Sequence, residues 1–434
     1  MPNAKVAMIG AGQLARMTHQ AAIDLDIELM VLATSVNDSA VLGGASYVLG
    51  TPDSLSDIEA VAAGADVVTF DHELVSPSNL VVMQERRYNI QPHPSALYLA
   101  QDKLEARRSL SSKGFPCPAF SAVGSEDDVA RFAEQHGWPV VLKARHGGYD
   151  GRGVRVVGGV DQLDGISWLL ATGDTGVTGR AREPDKEPVG EPVKEKVKEP
   201  VGEPVKEKVK EPVGESAKGS IKEKVKEPAY IVEEHIDISV ELSIIVARSP
   251  SGEVVVYPPV QTTQSEGICR YLVMPAPLPG RISKQARDLA ESIVVDINAT
   301  GIVAVEMFLA SSGQLLVNEL ALRPHNSGHA TIEASMTSQF QQHLRAVLDW
   351  PLGSTDMRVP AAAMVNLIGG EGSTDLLSGL RAALAVPGAS IHLYGKDARP
   401  GRKLGHITAT ADSVEEALQN AIRAASCFGL RVSE

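Results

Sequence analysis

Residues 186–197 and 198–209 are the same twelve-residue unit, Lys-Glu-Pro-Val-Gly-Glu-Pro-Val-Lys-Glu-Lys-Val, and a degraded copy begins at Lys210. The unit mixes Pro, Gly and charges of both signs, has only isolated valines and lacks aromatic residues. Such a sequence cannot bury a core. Its prolines forbid a continuous helix, and it is too polar to stack as a solenoid. The stretch 172–228 therefore reads as a disordered, nearly charge-balanced insertion in a surface loop, with a partner-docking tether as the alternative. Every packed core must then come from residues before 172 and after 228. The flanking elements can still pair, because loop-closure entropy grows only logarithmically with length.

The remainder is ample. A chain of 434 residues predicts two or three domains, and 43% hydrophobic residues supply their cores. The formal charge of −13 argues against a nucleic-acid surface but leaves room for a local basic pocket that takes a phosphorylated small molecule. Cys117, Cys269 and Cys427 are far apart and lack zinc-ligand spacing, so they are expected to be buried thiols outside any disulfide framework. The N-terminus lacks the apolar core of a signal peptide, and no apolar run is long enough to span a bilayer. The expectation is a soluble cytoplasmic protein.

Apolar strands at 5–9, 27–32 and 66–70 alternate with helical segments, which predicts a parallel sheet in roughly the first 95 residues. Gly10-Ala-Gly12-Gln-Leu-Ala15 resembles a dinucleotide fingerprint, but no acid directly follows the second strand to hold a ribose. A tight strand–helix turn, with an anion at the helix start, is the safer reading. Asp71-His72-Glu73 closes the third strand and is read either as the border of a ligand crevice or as a loop cap.

The chemistry-bearing residues lie further on. Gly301-Ile-Val-Ala-Val-Glu306 and a strand over 314–319 each end in an acid. Across a hairpin, Glu306 and Glu319, with Asn318, offer the hard oxygen ligands that suit Mg²⁺, or Mn²⁺ in its place, bridging phosphates. Arg323, His325 and Asn326 follow immediately, where a second substrate could react. Lys143 ends an apolar strand before a loop, 147–153, with four glycines, an arrangement that lets backbone N–H groups approach phosphates. That loop includes Gly148, Gly151 and Gly153, lacks a P-loop ending, and carries Tyr149, Asp150 and Arg152 as contacts for a second ligand. Lys103 is a second candidate cation. The strand ending Glu233-Glu234-His235-Ile236 can present a hinge to adenine, and Glu241 an acid to ribose hydroxyls.

That order resembles the ATP-grasp superfamily. Within it, Gly10-x-Gly-Gln-Leu-x-Arg-Met17, Gly148-Tyr-Asp-Gly-Arg-Gly153, Arg323-Pro-His-Asn-Ser-Gly-His329, Ser338-Gln-Phe340 and Arg399-Pro-Gly-Arg-Lys-x-Gly-His406 are similar to the N5-carboxyaminoimidazole ribonucleotide synthetase family of de novo purine biosynthesis. The resemblance spans the chain outside the insertion. It implies a mixed α/β and α+β architecture: a Rossmann-like parallel-sheet domain at 1–99, an ATP-grasp domain at 100–356 and a small β-rich domain at 357–434. It implies ATP-dependent carboxylation of 5-aminoimidazole ribonucleotide by bicarbonate through carboxyphosphate. No biotin is implied, and the chain has no Met-Lys-Met carrier motif.

By position, the resemblance gives Lys103, Lys143, Gly148, Gly151, Gly153, Glu233, Ile236, Glu241, Asn318 and Glu319 to ATP, and Glu306 and Glu319 to the metal. It gives Tyr149, Asp150, Arg152, Arg323, His325 and Asn326 to the ribonucleotide and the carboxylating intermediate. Lys396, Arg402 and Lys403 take the 5′-phosphate. Asp150 and His325 both stand open as the base that deprotonates the amine. Leu322 replaces a usual family proline. A homodimer, and coupling to the mutase that follows in the pathway, are further implications. The rival readings are a formate-using sister ligase, a nicotinamide-dependent dehydrogenase and a non-catalytic scaffold.

Overall fold

The computed structural model describes residues 3–148, 153–172, 228–370 and 376–430. The repeat insertion, and Tyr149 to Arg152 of the glycine-rich loop, lie outside the described residues.

The first hundred residues build a four-stranded parallel sheet in the order Ser46–Leu49, Glu28–Ala33, Lys5–Ile9, Val67–Phe70. Lys5–Ile9 is central and buried apart from Lys5, as a strand covered on both faces must be. The strand order reverses direction between Lys5–Ile9 and Val67–Phe70, so the crevice at their C-terminal ends is the natural ligand position. Gly10 stands there at φ +107°, and a Cβ on it would fall 1.7 Å from Asp71 Oδ1.

A second, small antiparallel sheet runs Phe120–Val123, Tyr230–Glu234, Val140–Ala144, Val154–Val157. The insertion therefore separates two strands of one sheet. Helix Glu126–His136 covers this sheet and starts at a capping box in which Ser125 and Asp128 satisfy each other's backbone N–H groups.

The remaining strands form one nine-stranded antiparallel sheet. It runs from the hairpin Leu315–Ala321 and Gly301–Ala310 through Ile238–Arg248, Val260–Ser265 and Ile268–Met274 to Ala361–Ile368, Lys403–Ala411 and Ala389–Leu393. Alternate residues of Ile238–Arg248 go to opposite faces. Leu242, Ile244 and Val246 pack with helix Gly280–Asp296, and Ile245 and Ala247 enter a separate core. The C-terminal strands join this sheet where Ile268–Met274 pairs with Ala361–Ile368, so the candidate phosphate residues and the carboxylate hairpin ride on a common sheet. The cysteines correct an expectation: Cys117, Cys269 and Cys427 are thiols but only half-buried, because they sit on a connection, near a strand start and at a helix end rather than within a core.

Candidate active site

The carboxylate pair comes directly from strand register. Glu306 and Glu319 are Cα partners across the hairpin Gly301–Ala310 and Leu315–Ala321. Immediately beyond them the register slips, with Met307 pairing to Val317, so Asn318 is the extra residue of a β-bulge. In a regular strand Asn318 and Glu319 would point to opposite faces. The bulge instead lets both meet lysines: Lys143 Nζ donates to Asn318 Oδ1 at 3.1 Å, and Lys103 Nζ to Glu319 Oε2 at 3.0 Å.

The small sheet supplies the other half. Glu233 pairs with Val141, which puts it diagonal to Lys143 on the same face, and Lys143 Nζ lies 2.6 Å from Glu233 Oε2. Arg107 Nε holds the other oxygen of Glu233 at 2.7 Å, and its Nη2 donates to the Asn318 carbonyl at 2.6 Å. Burial works to raise the Glu233 carboxyl, but Lys143 and Arg107 override it and hold it down at about 2. Glu319 is likewise held at about 2 against burial, by Lys103. Glu306 has no such lysine and is pushed up to about 8 by burial and by the Glu319 and Glu241 charges. Two facing carboxylates plus an amide oxygen, one of them short of positive charge, fit a hard divalent cation that keeps water and phosphate oxygens in its remaining positions. Among the described residues there is no cluster of three or more His, Cys, Asp or Glu with metal-ligating geometry.

Asp102 fastens this end. It caps helix Lys103–Ser112 by accepting from the Leu104 and Glu105 N–H groups, and it is fully buried against Arg145, with Nη2 at 2.7 Å from its Oδ2. Lys103 N donates to the Arg145 carbonyl, which ties the first lysine to the base of the glycine-rich loop. Gly148 and Gly153 border that loop's undescribed part, and Gly153 O accepts from Ala144 N at 2.7 Å. Ile236 is half-buried just beyond Glu234, whose carboxylate accepts from the Ala119 N–H. Glu241 is raised by burial, and its Oε2 is buried without a hydrogen bond, an acceptor available to a hydroxyl.

Arg323 and His325 follow the hairpin. Leu322, in place of proline, is fully buried in the main core and keeps the strand end packed. Arg323 Nε pairs with Glu73 Oε2 at 2.9 Å. Gln339 clamps His325 by accepting from its N–H and donating to its carbonyl, and a Cβ on Gly328 would collide with that Gln339 side chain at 2.4 Å. The Ser327 N–H points at His325 Nδ1, which must therefore accept. The proton then sits on Nε2, 3.5 Å from Glu306 Oε1. Burial and Arg323 hold this imidazole down at about 3. Asn326 follows in a short turn with its Oδ1 buried and unbonded.

The third part is built around the crevice. Asp71 Oδ2 accepts from the Gly12 N–H at 2.6 Å, so the cap reading of Asp71 holds at the glycine turn, while its Oδ1 is buried without a partner. Lys396 Nζ reaches the neutral amide of Gln13 at the start of helix Gln13–Asp24. Burial and the Arg402 and Lys403 charges push Lys396 down to about 8, so the three cations are crowded together. Arg402 Nη1 donates to the Asp397 carbonyl. Lys403 begins the strand Lys403–Ala411, where its charge also acts on Glu306 and His325. Arg107, Asp102 and Gln339 belong to the site but were given no role from sequence, and Glu73 was read only as part of the Asp71-His72-Glu73 cluster. Arg107 had a signal, since it follows Lys103 by one helical turn on the same face. Glu73 and Gln339 meet their partners only through the fold.

Two lysines converging from a helix start and a small antiparallel sheet onto a carboxylate hairpin of a larger sheet define an ATP-grasp enzyme. The sequence model of the ATP-grasp domain matches residues 108–178 and 208–340. That of the ribonucleotide synthetase preATP-grasp domain matches 3–101, and that of the phosphoribosylaminoimidazole carboxylase C-terminal domain matches 362–420. The chain is 40% identical over 425 residues to the N5-carboxyaminoimidazole ribonucleotide synthase of Mycobacterium bovis, covering 97% of this chain and 86% of the relative. It superposes on the Thermotoga maritima synthetase with a TM-score of 0.76 at 32% identity, covering 98% of each chain. It also superposes on the Aspergillus clavatus synthase in complex with ADP and 5-aminoimidazole ribonucleotide, with a TM-score of 0.80 at 29% identity, covering 98% of this chain and 99% of that one. The chain belongs to the N5-carboxyaminoimidazole ribonucleotide synthase family, ATP-grasp ligases of purine biosynthesis.

Proposed function

We propose that this chain joins bicarbonate to the exocyclic amine of 5-aminoimidazole ribonucleotide at the expense of ATP, and that the residues gathered above carry the two half-reactions. The observation that carries the reading is the Glu306–Glu319 pair, flanked by Lys103 and Lys143 and set beside Arg323 and His325. In the first half-reaction a bicarbonate oxygen attacks the γ-phosphorus and ADP leaves. In the second the amine attacks the carboxyphosphate carbon, phosphate leaves and the amine proton goes to a base.

Lys103 and Lys143 are fixed cations for the phosphates of ATP, aided by the backbone of the loop that includes Gly148, Gly151 and Gly153. The 233–236 hinge faces the adenine, and Glu241 takes a ribose hydroxyl. Mg²⁺ held by Glu306 and Glu319 would add positive charge against the phosphate oxygens, where charge builds during transfer. Arg323, fixed by Glu73, meets the carboxyphosphate. His325 serves as a neutral Nε2–H donor to its developing charge, since its Nδ1 already accepts. The base role then falls to Asp150, with Tyr149, Arg152 and Asn326 orienting the imidazole. Lys396, Arg402 and Lys403 hold the 5′-phosphate at the Gly12 turn.

ADP release with Mg-ATP and labelled bicarbonate, with and without the ribonucleotide, tests the reading. Ribonucleotide-dependent release with label in an acid-labile product is expected, and release indifferent to the ribonucleotide overturns the acceptor assignment. Three thiols suit a reducing, cytoplasmic setting. No helix among the described residues is long and apolar enough to cross a membrane. A homodimer is the expected assembly, checked by light scattering.

A further inference from the structure

Three imidazoles from separate segments stack in the interior, outside the residues given a substrate role above. His406 lies within strand Lys403–Ala411, with His392 as its Cα partner on one side and Asn366 on the other. The His392 and His406 rings lie 4.3 Å apart between centroids with planes 8° apart. His329 also stacks on His406, at 4.6 Å. His329 and His406 are fully buried.

Each ring is tied to a different part of the molecule. His392 Nε2 meets Glu333 Oε1 at 2.7 Å. His329 Nδ1 lies 3.3 Å from Gln339 Nε2, the amide that also grips both backbone groups of His325. His406 Nδ1 lies 2.7 Å from the Tyr394 hydroxyl. Tyr394 follows His392 by two residues, so it shares that face and sits diagonal to His406. Its ring is 1% exposed and lies under Lys396, with Nζ 5.6 Å from the centroid. Its carbonyl accepts from Ser39 Oγ, which bolts it to the short helix Ser39–Leu42 that follows strand Glu28–Ala33 of the N-terminal sheet.

We propose that this ladder is a positioning device: His406 acts through Tyr394 to set Lys396 over the crevice, and through His329 and Gln339 to keep His325 in register with it. The inference rests on Lys396 contacting the ribonucleotide phosphate. A lysine head on a four-carbon stem is a poor point of reference unless the stem is fixed, and the Tyr394 ring is the platform that fixes it. Removing the hydrogen-bonding nitrogen at His406 strands a buried hydroxyl, so the ring must shift to find another partner. An imidazole packed against two others cannot turn to follow without breaking the stack. Burial keeps His329 and His406 well below the ordinary imidazole range, so the stack holds no mutually repelling charges.

The test compares Tyr394→Phe, which keeps the platform and removes only the hydroxyl, with His406→Leu and His406→Asn, whose amide restores a hydrogen-bonding group near Nδ1. Two readouts are taken: steady-state kinetics, and calorimetric binding of ribose 5-phosphate, which needs no turnover. The expected result is a rise of roughly tenfold in the KM for the ribonucleotide and in the Kd for ribose 5-phosphate in Tyr394→Phe, the scale of one buried hydrogen bond. His406→Leu does the same, His406→Asn recovers most of it, and the KM for ATP stays within about twofold. Unchanged ribonucleotide KM and ribose 5-phosphate binding in Tyr394→Phe overturns the ladder even if His406→Leu fails to fold. Equal losses toward ATP and ribonucleotide, tracking lower stability, also overturn it, since that is what a merely packed stack gives. A wild-type enzyme that binds ribose 5-phosphate but shows no ribonucleotide-dependent turnover sinks the proposed reaction and leaves the binding comparison to judge the ladder.

Discussion

The two ends of the site are built on opposite electrostatic plans. At the ATP end, opposite charges pair across neighbouring strands and helix starts: Lys103 with Glu319, and Lys143 and Arg107 with Glu233. At the crevice end, Lys396 reaches the neutral amide of Gln13, and Arg402 a backbone carbonyl. The first plan keeps strong charges in place whether or not nucleotide is bound. The second crowds the Arg402 and Lys403 charges around a buried Lys396, so a phosphate entering it meets several cations at once. Fixed pairs suit a phosphoryl group that must be held in line during transfer, and a crowded cationic cluster suits a phosphate that only anchors.

The contrast can be broken at either end. The largest effect is expected at the hairpin. Glu319→Ala removes a metal ligand and frees Lys103, and ADP release should fall by roughly a thousandfold or more; near-normal turnover would refute the metal assignment. Next is Glu233→Ala, which leaves Lys143 and Arg107 buried without their carboxylate. Stability should drop by about 3–5 kcal/mol in denaturant titration, and a loss below about 1 kcal/mol would mean the pair is not held as described. At the crevice, Arg402→Ala should raise the KM for the ribonucleotide by roughly ten- to a hundredfold with kcat little changed, because an anchoring contact is the same in ground and transition states. A fall in kcat alone would contradict the anchoring role.

Acid sharpens the comparison by loosening the joint between the two ends. His343 Nδ1 accepts from Ile302 N, and its Nε2 meets Thr69 Oγ1 at 2.8 Å, which bolts the N-terminal sheet to the strand that carries Glu306. Burial holds His343 down at about 3. Above an unfolded value of about 6.5 its contribution is fully present; as pH falls toward 3 the unfolded chain binds the proton and the folded one does not, so stability drops. The slope from this residue should reach about 1.4 kcal/mol per pH unit in that window. His343→Gln should flatten the pH dependence measured by denaturant midpoints, and an unchanged slope would remove His343 as its source. The smallest effect is expected from deleting 172–228. The deletion shortens the link between two strands of the small sheet, and the KM for ATP should stay within about threefold; lost ATP turnover would give the insertion a catalytic part.

Legibility followed the same divide. Glu306, Glu319, Lys143 and the glycine-rich loop could be read because each follows an apolar run, although the strands Gly301–Ala310 and Leu315–Ala321 continue past Glu306 and Glu319 rather than ending there, since apolar residues follow both acids. The facing of Glu306 and Glu319 followed from hairpin geometry. The bulge at Asn318 did not, because one extra residue leaves no mark on an apolar pattern. Glu73 for Arg323, Gln339 for His325 and Gln13 for Lys396 were invisible for a different reason: they pair residues 250, 14 and 383 positions apart whose types are common on any surface. The parallel sheet was expected from three strands, while the fourth, Ser46–Leu49, is short and mostly exposed, so it carries little apolar signal.

The amino-acid sequence by itself determined the family, the alternation that makes the N-terminal sheet parallel, and the acids and lysines proposed to serve ATP. These are local facts, written in periods of two and in residues a few positions apart. Only the tertiary structure decided that the C-terminal strands join the carboxylate hairpin's sheet, that Lys396 meets the Gly12 turn, and that His329, His392 and His406 stack. Such contacts depend on which surfaces bury one another, and burial is a property of the whole packed chain that no segment carries alone.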